Sequence, residues 1–595
     1  MAGAVVVLVA VSWVLGPGTS WWLEHVDGVS ITDKDKLSDA DKDRLEALDK
    51  ARGRIVAYGT GILAAVAIWF TASNARSARR TAEAAHGSVH AAHRAVQQSE
   101  EAQRRTHELT ERGQFTDRFT AAVAQLEGSP AVQLGGVHAL AGIADDAPAL
   151  RQTCIDVLCA FLRLPYDRDP GPLAEDADLA ADERQAHEQR RTAYRGLREV
   201  RHTIIRLIGD HLRLPADNPR SWQGHDFDFT DAVFDGGDLH GAHFSGGVVR
   251  FTSATFTDMF NFAAATFFEG TVDFQLARFF DAWVSFKNAT FSGSGACFGY
   301  AAFRDAEVDF SGATFSGDAV TFQEATFSGG GLDFHEATVF DSQIDFQDAK
   351  LSDGGVNFRR AAVSDSRISF EGAAFTGEEL AFTGAKLSGG EIDFHGATLS
   401  GSRVTFRSLD FSGGEISFES VKASGSRISF ESTMLSSGQI DLRNTTFSDS
   451  RISFEVMTFS GGQIDFWYAK VSDSQISFQD AAFTGGEVGF GDVRVSGSRI
   501  HFEKAGFSDG QVDFGFAAFS DSQVHFRVAK FAGGRISFKG TKVSGDQLDF
   551  TGAAFFGGVV DLRRAKAGGV PVVGIELDLE GRPPEGVLLP EVEDR

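Results

Sequence analysis

The sequence predicts a long repeat solenoid behind an α-helical N-terminal region that carries two membrane-spanning segments. Three observations predict it. From Phe358 an aromatic residue or Leu recurs at every twelfth position: Phe370, Phe382, Phe394, Phe406, Phe418, Phe430, Leu442, Phe454, and on to Phe550 and Leu562. A fixed period of this kind is the signature of stacked repeats. The 595 residues include 55 Phe and 66 Gly but only 12 Pro, 5 Tyr and 4 Met, so the excess Phe at fixed spacing points to an aromatic core stack. Finally, two apolar stretches, residues 2–23 and 55–72, precede a polar segment.

The elements follow in chain order. Residues 1–74 read as a transmembrane hairpin. The first stretch lacks the basic flank of a signal peptide and ends on Trp21 and Trp22, an interfacial pair. The second is about as long as a bilayer core of ~30 Å requires. Arg76, Arg79 and Arg80 favour a cytoplasmic exit, whereas Lys50, Arg52 and Arg54 lie before the same span. With three cysteines and no disulfide pattern, the expectation is a multi-pass protein of the cell membrane with its bulk in the cytoplasm.

Residues 75–112 read as a polar linker helix. His86, His90 and His93 fall on one helical face there and are read as exposed polar residues, not as a metal site. Residues 113–220 form a helical adaptor. Leu134, Val137, Leu140 and Ile143 mark one helix, and Ile155, Leu158 and Leu162 a second; Cys154 and Cys159 are read as core. An acidic loop is expected over 166–193 and a further helix from about Tyr194 to Leu214. Trp222 is expected to cover the open end of the repeat core.

Residues 221–567 hold the repeats. The first are five residues long, with Phe229, Phe234, Leu239 and Phe244 evenly spaced. Gly237-Asp238-Leu239-His240-Gly241 and Ala242-His243-Phe244-Ser245-Gly246 resemble the unit of the pentapeptide-repeat family, and the whole arrangement is similar to bacterial membrane-associated members of it. That resemblance implies a mainly β fold, a right-handed quadrilateral β-helix with one short unit per side. The twelve-residue unit reads as five plus seven. In Phe358–Val363 the step is five and Ala361 holds the small inward position; in Val363–Phe370 the step is seven and Ile368 holds it. The two extra residues swell one corner, where Gly and Asp suit turn conformations.

Corners alternate between SGGEIDF or SGGQIDF and SGSRISF or SDSRISF, which favours a coil of 24 residues, as does the space that Phe side chains need. A 12-residue coil is the competing reading and would alternate Arg with Glu along one edge. With the longer coil, Arg403, Arg427, Arg451 and Arg499 line one edge and Glu391, Glu415 and Glu487 the opposite one. Both are candidate interaction edges. Glu431, Glu455 and Glu503, four residues beyond three of the arginines, are expected to offset repulsion within the Arg column. Phe358, Phe370, Phe394, Phe418, Phe454 and Phe466 are assigned to the core stack.

No catalytic constellation, cofactor motif or metal site is expected. His501 and His525 occupy the slot that Ser453 and Ser477 fill in earlier units. The net charge of −26 excludes broad nucleic-acid binding, which needs a surplus of Lys and Arg. The function expected is a non-enzymatic, membrane-anchored scaffold that binds an unknown protein partner. The resemblance implies an alternative, a DNA mimic that binds gyrase, because residues 226–350 carry about 14 net negative charges. Residues 568–595 read as a cap, with Val570, Val572 and Ile575 over the last coil, and a loose tail beyond Gly581.

Overall fold

In the computed structural model the described residues are 113–173, 180–293, 295–544, 547–563, 565–567 and 585–588, with 61, 64, 65 and 68. Residues 1–106 form one compact unit and 107–595 another. The expected membrane hairpin (1–74) and linker helix (75–112) fall almost wholly outside the described residues. Among the described residues no helix is long and apolar enough to cross a membrane, so the two-span hairpin has no structural support.

Between residues 113 and 220 four α-helices precede the solenoid: α1 (113–125), α2 (Pro130–Asp146), α3 (Arg151–Leu162) and α4 (Ala181–Leu212). Helix α2 starts on Pro130, whose missing N–H costs nothing at a first turn, and stops before Pro148. Its buried Val137, Leu140 and Ile143 meet Ile155, Leu158, Leu162 and both buried cysteines of α3. Helix α4 begins well inside the stretch expected to be an acidic loop. Residues 181–193 are rich in Ala, Glu, Arg and Gln, strong helix formers that need no burial. Glu183 also accepts a hydrogen bond from the Ala180 backbone N–H at 3.2 Å. Only the second half of α4, from Val200 to Leu212, is buried.

From Phe227 onward the chain is a parallel β-solenoid with four short strands per coil. One coil shows the order: a first face at Gly390–Asp393, a second at Thr398–Ser400, a third at Arg403–Thr405 and a fourth at Asp410–Phe411. The fourth faces form a 14-stranded sheet, the first faces a 16-stranded sheet, and the second and third faces merge into one of 26 strands. Merging occurs because the corner between them is straight in three coils, where Ala302–Asp309, Thr326–Asp333 and Lys350–Asn357 each run through it.

The register is 24 residues through most of the rod: Ile368 pairs with Ile392, Ile392 with Ile416 and Ile416 with Ile440. A 12-residue coil is thereby excluded. The first coils are shorter. Phe227 pairs with Val249, Val249 with Val272 and Val272 with Ala296, giving steps of 22, 23 and 24 residues. The growth falls at one corner, where Phe234 to Leu239, Phe256 to Phe262 and Phe279 to Phe286 lengthen from five to six to seven residues. At ~4.8 Å per coil, 14 coils make a rod of about 65 Å.

The twelve-residue Phe period splits into two columns inside the rod. Phe358 stacks on Phe382 at 4.9 Å, and Phe430 on Phe454 at 5.1 Å. In the other column Phe370 stacks on Phe394 at 4.9 Å, Phe394 on Phe418 at 4.7 Å and Phe466 on Phe490 at 4.6 Å. Between columns the rings meet edge to face, as Phe454 and Phe466 do at 6.1 Å. Both geometries suit the ring quadrupole. All six Phe residues assigned to the stack are fully buried.

Both ends are covered. Trp222 is buried and stacks on His211 of α4 at 4.2 Å. Buried Arg151 of α3 donates to the carbonyls of Ser221 and Pro219. At the far end Val587 and Leu588 pair with Val560 and Asp561. Part of the expected loose tail is therefore an added strand, because the last first-face strand otherwise leaves its edge open. Val570, Val572 and Ile575 lie outside the described residues.

Candidate functional site

The alternating corners build two grooves along the solenoid, on corners two steps apart around the coil. One follows the corner between the second and third faces and encloses ≈ 630 Å³. The other follows the corner between the fourth and first faces and encloses ≈ 1380 Å³. Each of the predicted edges borders one of them.

The first groove has a floor of serines. Ser402, Ser426, Ser450, Ser474, Ser498 and Ser522 are all buried. The backbone N–H of each of the first five donates to the hydroxyl of the serine one coil on, as from Ser402 to Ser426 at 3.2 Å and from Ser450 to Ser474 at 2.9 Å. Each hydroxyl in turn donates to a carbonyl two residues back, as from Ser450 to Ser448 at 2.8 Å. A fully satisfied buried ladder of this kind rigidifies the corner. It is terminated by buried Glu378, which accepts from the Gly354 N–H at 2.6 Å. Burial raises the Glu378 carboxyl above its ordinary value.

The residue after each serine carries the Arg column. Arg403, Arg427, Arg451, Gln475 and Arg499 stand in register on successive coils. All four arginines are exposed, and among the described residues none has a carboxylate within ion-pair distance. Two of the three expected partners four residues on are engaged elsewhere. Glu431 pairs with Arg407 at 2.9 Å, and Glu503 lies 3.9 Å from Arg527. Parallel register joins residues 24 apart, so turn-borne carboxylates meet the turn-borne cations of the adjoining coil. Glu379, Asp449 and Asp473 also line the groove; Glu379 pairs with Arg359 at 3.1 Å.

The second groove is walled by the Glu column. Glu391, Glu415, Gln439, Gln463 and Glu487 are in register, with Arg367 one coil before them. Arg367 lies 3.7 Å from Glu391 and 2.5 Å from buried Asp393. Arg443 clamps buried Asp441 through two nitrogens. Burial, then the charges of Asp441 and Glu391, raise the Glu415 carboxyl. Burial raises that of Asp465 as well. Along these coils the first face is thus a carboxylate-rich surface that Arg367 and Arg443 offset only in part.

Sequence reasoning missed one constellation and dismissed a second. One is the junction between helices and solenoid. Asp235 accepts from the hydroxyls of Tyr166 and Tyr194 and from Nε of Arg198, and His202 Nε2 lies 3.1 Å from its other oxygen. Burial opposes the charged form, but these hydrogen bonds outweigh it and hold the Asp235 carboxyl far below the usual range. The Tyr194 hydroxyl is pushed up to about 12 by burial and by Asp235. No local pattern marks Asp235, since its partners lie 33 to 69 residues away. The other is His501 and His525, whose spacing of 24 was a visible signal. Burial lowers both imidazoles below the ordinary value.

Comparison with known proteins adds no relative. No family, curated protein or solved structure matches this chain. What it does must be read from its own surfaces.

Proposed function

We propose that the chain is a non-enzymatic, membrane-anchored interaction scaffold whose solenoid binds an acidic, extended segment of a protein partner. One observation carries the reading: four exposed arginines in register on a serine-zipped corner, with no carboxylate among the described residues paired to them. A column of like charges at ~4.8 Å per coil is unfavourable alone, and a complementary chain lying along it relieves that repulsion. The membrane anchor rests on the two apolar stretches, and the cytoplasmic placement of the bulk on the flanking arginines and free cysteines. The likeness of the first repeats to pentapeptide repeats, and of the chain to bacterial membrane-associated proteins built from them, belongs to the same reading. No cofactor and no direct contact with nucleic acid are part of it.

The test is binding of a labelled polyglutamate peptide to the full chain at low and moderate salt. Salt-sensitive binding that disappears when Arg403, Arg427, Arg451 and Arg499 are all changed to Gln supports the reading. Equal binding by parent and variant overturns it. The acid-rich stretch 226–350 favours a second reading, a duplex-DNA mimic that engages gyrase. In a supercoiling assay that reading requires inhibition by the full chain, undiminished by the four Arg substitutions.

A further inference from the structure

On the third face the last position holds Ser453, Ser477, His501, His525 and Asp549 on five successive coils. The two imidazoles therefore stack, with ring centroids 5.1 Å apart and the rings edge to face. Glu503, two residues past His501 on the adjoining turn, brings a carboxylate beside them. One ligand atom from each of His501, His525 and Glu503 lies within 4.8 Å of the other two. His525 is 6% exposed. Its Nδ1 is buried without a hydrogen-bond partner, and Glu503 Oε1 is 3.7 Å away.

We propose that His501, His525 and Glu503 form a binding site for a divalent transition metal, Zn²⁺ by ligand type, that clips two adjacent coils together. Two imidazoles and one carboxylate are the donor set Zn²⁺ takes when one position stays open to solvent. A buried nitrogen without a partner is unfavourable, and ligation removes that penalty. Zn–N and Zn–O bonds of about 2.0–2.2 Å require the donors to draw closer than they stand. His501 and Glu503 are part-exposed and have room to turn inward onto fixed His525. The nearby Arg527 donates from Nε to Asp549 at 2.5 Å and has Nη1 3.9 Å from Glu503 Oε1, a contact that ligation by Glu503 would replace. Arg499 of the Arg column shares the His501 strand, yet Zn²⁺ binding here requires no partner on that column.

Zn²⁺ titration by calorimetry of the tag-free, metal-stripped full chain tests it, beside the double variant His501→Ser/His525→Ser and the single variant Glu503→Gln. Serine is what the two preceding coils carry at this register, so the double variant keeps its far-ultraviolet circular dichroism. The expected result is a micromolar or tighter equivalent of Zn²⁺ that the double variant lacks and that Glu503→Gln weakens about tenfold. Co²⁺ in its place gives the visible absorption of a four-coordinate site in the parent alone. Equal Zn²⁺ stoichiometry and affinity in parent and double variant, or no Zn²⁺ bound by the parent, overturns the proposal. If the double variant misfolds, Glu503→Gln decides: unchanged affinity there overturns it.

Discussion

At the scale of single residues the corners are where side chains are refused. A Cβ on Gly414 would sit 2.0 Å from the Gly390 carbonyl oxygen one coil below, and its φ of +99° is outside the range that L side chains favour. Gly414→Ala is expected to cost about 2–4 kcal/mol in urea unfolding; a loss under 0.5 kcal/mol would refute this account of the corner. The turns after the core Phe residues tell the opposite story. Val456 holds a φ of 58°, a position that Asn444 fills twelve residues earlier with a φ of 57°. A β-branched residue is strained there, whereas Asn tolerates the left-handed region. Val456→Asn should raise stability by about 0.5–1 kcal/mol, read as a higher urea midpoint. The glycine-rich corners were legible in the sequence because Gly announces a turn. Val456 was not, because its conformation is imposed by the coils on either side and not by its own preference.

At the scale of elements, α4 is fastened to the first coil largely around one carboxylate, Asp235. Asp235→Asn leaves Arg198 without its counter-ion and is expected to cost about 2–4 kcal/mol of docking. Hydrogen exchange in α4 would then quicken while exchange in the middle coils stays as it was. Acid should act in the same direction. Because the folded carboxyl sits below its ordinary value of about 3.9, its contribution is complete above that pH and fades as pH falls further. Protection of α4 in Asp235→Asn should accordingly show no such acid dependence; an unchanged acid response would place the titrating group elsewhere. The helix cores were readable from their 3.6-residue spacing, as at Val137, Leu140 and Ile143. The start of α4 was not, because residues 181–193 bury nothing and offer composition without a pattern.

At the scale of the whole molecule the question is what a coil is. The Phe period is twelve, but the repeating unit of contact is 24. Removing residues 415–438 deletes one coil and rejoins every column in register. Removing 403–414 keeps the Phe spacing yet sets a glycine-type corner on the serine ladder. The first deletion should unfold in a single transition near the parent midpoint. The second should lower the midpoint and separate the two halves of the rod into distinct transitions, visible by calorimetry. Equal behaviour of the two deletions would mean that the corners are interchangeable. The coil length could be argued from the sequence because the two corner types alternate in composition. The ion pairs between coils, such as Arg407 with Glu431, could not, since they follow from the 24-residue register and join side chains that no local spacing relates.

The lengthening of the first three coils, from 22 to 24 residues, bears on how copies of this protein meet. It gives the solenoid two unlike ends, one narrower in circumference than the other. A second copy brought head to tail would set a full-width coil on a narrow one, with two residues overhanging a single corner and the stacked rings out of line. Trp222 and the helices occupy the narrow end already, and Val587 and Leu588 the wide one. A repeat that is periodic along its length is thereby kept from continuing into a filament.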